Sequence, residues 1–249
     1  MNIRSLTGFL SVTDPFTENS LRALGELVRT ARVIFSDAEL PLQTARVATQ
    51  SISEISPRDL SAFARTLEAA CQTHAIDYAA LGALQADANN APLALVDAIP
   101  DAIRATKNIF ASVQIATRAR GINLAAIQST ARVIHTLANT TPEGFGNFRF
   151  AALANCAPHA PFFPVAYQRG TANAFALAVE TAPLAVDAFT RAQNLAEARA
   201  FFIAAIEAAA QKIAPLANDL TARFAFQFLG MDFSTAPFPE TEKSIGTAM

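Results

Sequence analysis

Three arginines, Arg4, Arg46 and Arg149, fall on separate segments that read as extended. Ser112, Gln114, Asn155 and Asp232 fall on further segments of that kind, and Asn123 stands just before a helical run. A guanidinium forks two parallel donors onto a carboxylate or a phosphate, so arginines converging from different strands make an anion site. Asp232 among them would serve as an acid, a base or a metal ligand. The ligand expected of such a site is a small anionic metabolite. Arg4, Arg46, Arg149, Gln114 and Asn123 would bind it, with Asp232, Ser112 and Asn155 as the catalytic candidates. The competing reading has the same arginines facing solvent or paired with structural acids, because strand alternation alone does not say which face is enclosed.

Other chemistries have thinner support. Cys71 and His74 stand three apart, as do Cys156 and His159, and two such pairs could compose a Cys2His2 zinc site. Such spacings arise easily by accident, and Cys71 belongs to the apolar stripe of its helix, where a thiol behaves as a small hydrophobe. No metal is expected. Ser112, Ser234 and Cys156 are the nucleophile candidates, but no Gly-x-Ser-x-Gly elbow is present and no base stands in fixed relation to them. His159 would reach them only through tertiary folding, and His135 lies beside a core stripe. Gly144 and Gly146 lack the third glycine of a dinucleotide fingerprint, and no lysine follows a glycine run. The cofactor is therefore left open. Phe162 and Phe163, between Pro161 and Pro164, read as a lid, an interface patch or a buried plug.

The 249 residues carry 19 basic and 21 acidic side chains, so no basic excess is available for a phosphate backbone and no nucleic-acid partner is expected. Hydrophobic residues make up 52% and charged residues 16%, a balance suited to a large buried core. The most apolar helical stretch, Leu195–Leu216, is broken by Glu197, Arg199, Glu207 and Lys212, and no membrane partner is expected. The first residues lack the plan of a signal peptide, and two cysteines are too few for a disulfide framework, so a cytoplasmic location is expected.

Extended and amphipathic runs alternate, the pattern of an α/β domain. The spacing predicts strands near 2–12, 44–52, 77–84, 108–117, 147–155, 175–181 and 226–234. Helices are predicted from about 18 to 35, 57 to 73, 100 to 106, 124 to 138, 183 to 192, and from 195 to a bend at Pro215. Ser56 with Pro57 reads as the start of the second helix, and Asn123 as the cap of the fourth, whose core side is read as Leu124, Ile127, Ala131, Ile134 and Ala138. Pro239–Glu242 looks like the beginning of a helix seven residues before Met249, which suggests either a product shorter than its natural length or an ordinary tail.

Several segments together resemble an uncharacterised bacterial and archaeal family, DUF 711, also called UPF 0210. They are Asn2-Ile3-Arg4-Ser5-Leu6-Thr7, Ala111-Ser112-Val113-Gln114-Ile115-Ala116, Gly121-Ile122-Asn123-Leu124, the run from Gly144 to Asn155, Pro161-Phe162-Phe163-Pro164 and the run from Met231 to Pro239. The resemblance implies an α/β barrel similar to that of glycyl radical enzymes, helices around a barrel-like sheet, and no established reaction. It implies members longer than this chain, often encoded beside a small ACT-type domain. Glycyl radical chemistry is not carried over, because no glycine loop of that kind follows Asp232. The expectation is a single α/β domain over 1–249, C-terminally incomplete, that assembles as a homo-oligomer. Three roles stay open: an enzyme acting on the anion, a non-catalytic ligand-binding or regulatory protein, and a fragment that needs a further C-terminal part.

Overall fold

The period-two and period-3.6 segments fold, in a computed structural model that describes residues 1–235, into a central sheet with helices packed on it. The chain runs β1 (Ile3–Leu10), α1 (Arg22–Asp37), β2 (Leu42–Ser51), α2 (Ile52–Ile55), α3 (Leu60–Thr73) and β3 (Tyr78–Gln85). It continues through α4 (Leu93–Asp97), α5 (Ile99–Arg104), β4 (Ile109–Thr117), β5 (Gly121–Ile122) and α6 (Leu124–Thr140). A 3-10 segment, Pro142–Arg149, precedes β6 (Phe150–Ala154); β7 (Ala174–Val179), α7 (Ala182–Arg191), α8 (Leu195–Arg223) and β8 (Gln227–Asp232) complete it. The helix start expected at Pro239 lies outside the described residues.

The strands β1, β2, β3, β4 and β6 are parallel neighbours in the order β6-β4-β3-β2-β1. β7 joins β1 antiparallel and β8 joins β7 parallel, while the short β5 pairs with the end of β4. Among the described residues the sheet is open, with edges at β6 and β8.

One face of every long strand packs on the helices. Leu6, Val47, Leu81, Val113 and Leu177 enter a continuous core with Leu24, Phe35, Leu67 and Leu137. Crossover helices on a mostly parallel sheet require such a face to be apolar throughout. The opposite face carries Phe9, Ala48, Ala80, Phe110 and Ala176, and the segment after β6 lies across it. Ala166, Tyr167 and Gln168 of that segment are buried, and Gln168 N donates to Thr49 O at 2.9 Å. In the Phe162–Phe163 stretch, Phe163 is half-buried and packs on Phe110, while Phe162 is exposed.

Several boundaries differ from the sequence pattern for identifiable reasons. Ser56 does not start α3: it adopts a left-handed conformation that ends the short α2, and Asp59 caps α3 by accepting from Ala62 N at 2.9 Å. The buried stripe of α6 is Ala126, Ser129, Thr130, Val133 and Leu137. Leu124, Ile127 and Ile134 face outward, because the other apolar face of α6 is the one that meets β4 and α4. Pro215 lies inside α8, which continues to Arg223, and its exposed position leaves the freed carbonyl to water. At 29 residues, with a mean hydropathy of 1.4 over its most apolar window, α8 is long and apolar enough in composition to cross a bilayer. That is more than the charges along it suggested. In the fold it packs on α7, α1 and β8 through Ala198, Ala209, Ile213 and Leu220.

The two thiols have opposite surroundings. Cys71 is buried in α3, and burial pushes its pKa from 9.0 up to about 12. A raised value means that folding favours the neutral thiol: this stabilisation is complete below pH 9 and is lost as pH rises toward 12. Cys156 is half-buried beside a cavity. A thiol-reactive dye is expected to label Cys156 in the native protein and Cys71 only after denaturation. The Cys71→Ala variant is expected to lose less stability than the parent between pH 9 and 11, read by urea melts.

Candidate functional site

The segment that crosses the second face of the sheet leaves a cavity at each end. One, of about 580 Å³, lies at the C-terminal ends of β2, β3, β4 and β6. The other, of about 660 Å³, lies at the N-terminal ends of β1–β4, where the antiparallel β7 and β8 bring their C-terminal ends.

The second cavity joins Arg4, Arg46 and Asp232. Their convergence follows from pairing. β1 and β2 run side by side with Ile3 opposite Leu42 and Thr7 opposite Arg46. The β1–β7 register slips between Ile3 and Ser5, so a bulge falls at Arg4, and bulges re-aim side chains. Thr44 ties the two arginines together: its hydroxyl donates to Arg4 O at 2.8 Å and accepts from Arg46 Nε at 3.1 Å. Arg46 also lies over the Phe163 ring, 5.4 Å from its centroid. Burial, reinforced by the like charge of Arg4, pulls the Arg46 pKa below its ordinary value. Among the described residues neither guanidinium has a carboxylate within salt-bridge distance. Asp232 accepts from Ser234 N at 2.7 Å through one oxygen.

Arg149 is elsewhere. Its guanidinium donates to the carbonyls of Ile103 at 2.7 Å, Thr106 at 2.9 Å and Ile109 at 3.3 Å, closing the end of α5 against β4. Burial lowers its pKa. Its removal leaves three carbonyls short of a charged donor. Arg149→Ala is expected to cost about 2–3 kcal/mol in urea unfolding, and Arg149→Lys is expected to recover little, since an ammonium cannot span all three.

The remaining candidates divide between the other cavity and the sheet. Gln114 and Asn155 line the C-terminal cavity. The Gln114 amide clamps the Cys156 backbone, accepting from its N and donating to its O, each at 3.0 Å, and Tyr167 Oη donates to the same carbonyl. Asn155 is left-handed, φ 55°, and its side chain accepts from Arg118 N. Asn123 caps α6 through Ala126 N and donates to Ala86 O and Ala88 O at 2.8 and 2.9 Å. It thereby brackets Asp87, a buried carboxylate that takes hydrogen bonds from Thr117 and Arg120. Ser112 is fully buried on β4, and its hydroxyl has no partner. His159 packs edge-on against Phe9 with Nε2 2.8 Å from Gln168 Oε1. Among the described residues no three His, Cys, Asp or Glu side chains gather as metal ligands, and His74 reaches the carbonyl of Glu18.

Thr44, Tyr78, Asp87, Phe148 and Tyr167 were not singled out by the sequence. Asp87, directly after the apolar run of β3, carried the one available signal: an acid just past the C-terminal end of a buried strand.

A model of the family described as "Uncharacterised ACR (DUF711)" matches residues 1–249. The chain is 26% identical to a UPF0210 protein of Pyrobaculum islandicum, over 94% of this chain and 51% of that one. It is 27% identical to a UPF0210 protein of Clostridium botulinum strain Eklund 17B, over 98% of this chain and 59% of that one. It is 29% identical to one of Clostridium beijerinckii, over 88% and 51%. The chain spans about half the length of the curated relatives it matches. None of these names states a reaction.

Proposed function

The chain belongs to the DUF711 family, and from that premise we propose that it binds a small anionic metabolite between Arg4 and Arg46. One observation carries the reading: two half-buried guanidiniums on adjacent strands line one cavity, and no described carboxylate neutralises either by direct contact. Like charges held side by side favour an anion that both can reach. Asp232 on the same wall would accept from a hydroxyl or ammonium of that ligand, or act as its acid or base.

A thermal-shift panel of carboxylates and phosphates tests this. A ligand at a hundred times its Kd is expected to stabilise by about 2.7 kcal/mol, and the gain at that concentration is expected to fall to about 0.4–1.4 kcal/mol in Arg4→Ala and Arg46→Met. Equal gains in parent and variants would refute the site. Turnover of a hit that Asp232→Ala abolishes while binding persists would make the protein an enzyme; binding without turnover would make it a sensor or carrier.

A further inference from the structure

Resting on that anion reading, we infer that the ligand is a monocarboxylate with an aromatic body. The charge on the wall sets the head group: two guanidiniums and one carboxylate, Arg4, Arg46 and Asp232, leave one net positive charge for the ligand to balance. A carboxylate matches it, and a phosphate dianion exceeds it.

The rest of the wall sets the body. Tyr78, Phe110 and Phe163 form a chain of edge-to-face rings, with centroids 5.6 and 5.4 Å apart, at the cavity's inner side. Phe148 and Phe162 line the same cavity and remain 68% and 40% exposed. Phe148 stacks on Phe145, itself largely exposed, at 5.3 Å. Aromatic rings left in water beside a charged cavity mark a surface that gains by being covered. Their segment is held in place, since Arg149 anchors it to three carbonyls and Gly146 N donates to Thr141 Oγ1 at 2.9 Å. The C-terminal cavity has no phenylalanine in its wall. A carboxylate head at Arg4 and Arg46 with a ring reaching Phe148 and Phe162 is the complement of this cavity.

Calorimetric titration of the full chain with 3-phenylpropionate, acetate, inorganic phosphate, phenyl phosphate and neutral 3-phenylpropanamide tests the inference. 3-Phenylpropionate is expected to bind at least about tenfold tighter than acetate, the worth of one or two good ring contacts. The advantage is expected to fall below about threefold in Phe148→Ala/Phe162→Ala, whose exposed rings are not needed for folding. Acetate or phosphate binding as tightly as 3-phenylpropionate would overturn the aromatic body and leave the anion reading intact. Tighter binding of phenyl phosphate would overturn the carboxylate head. Equal binding of the neutral amide, or no binding by any anion, would overturn both this inference and the anion reading beneath it.

Discussion

Replacing Gly82 by alanine is expected to destabilise the protein by about 3 kcal/mol or more, the upper range for overpacking. A methyl at this position would lie 2.1 Å from Gln50 O and 2.3 Å from Thr49 O, both backbone atoms of β2. Backbone cannot rotate aside as a side chain does. The near approach belongs to the fold, because the β2–β3 register slips between Ala48 and Ser51, and Gly82 N donates to Thr49 Oγ1 at 3.0 Å within the slip. Separating the strands there would also displace the Thr49 O–Gln168 N bond that seats the crossing segment. A melt should show Tm lower by roughly 6–12 °C for a chain of this size. A variant within 1–2 °C of the parent would show that the sheet is not joined as described.

The second large effect concerns binding. Arg46→Met is expected to weaken an anionic ligand by roughly 10- to 100-fold, the loss of a charge-assisted hydrogen bond, while the unliganded protein changes little. The variant loses the contact with the Phe163 ring and the bond to Thr44, but it also relieves the repulsion from Arg4. These terms oppose one another and should leave stability within about 1 kcal/mol of the parent. Separation of the two readouts is what distinguishes a binding arginine from a structural one. Arg149→Ala should behave in the opposite way, with stability falling first.

Local signals carried much of the architecture. The stripes of α1 and α3, the Asn123 cap and the alternation of Ser112 and Gln114 against Ile109, Ala111 and Val113 were legible, because each depends on neighbours within one helix or strand. The stripe of α6 was misread because apolar residues occupy two of its faces, and only contact with β4 and α4 decides which is buried. The site was legible in part. Arg4 and Arg46 meet because β1 and β2 pair, which strand order settles and composition does not. Arg149 carried the same signal and is taken by carbonyls some forty residues away. The Asp87 cluster and the aromatic wall of Tyr78, Phe110, Phe148, Phe162 and Phe163 depend on strand ends and a crossing segment that sequence spacing does not place.

The claim that two guanidiniums share one anion is tested most directly by side-chain nitrogen NMR of the arginines during titration with 3-phenylpropionate. The Nε resonances of Arg4 and Arg46 are expected to shift together and saturate with one affinity, while those of Arg120 and Arg169, which line the C-terminal cavity, stay in place. Saturating shifts at Arg120 and Arg169, with Arg4 and Arg46 unmoved, would contradict it.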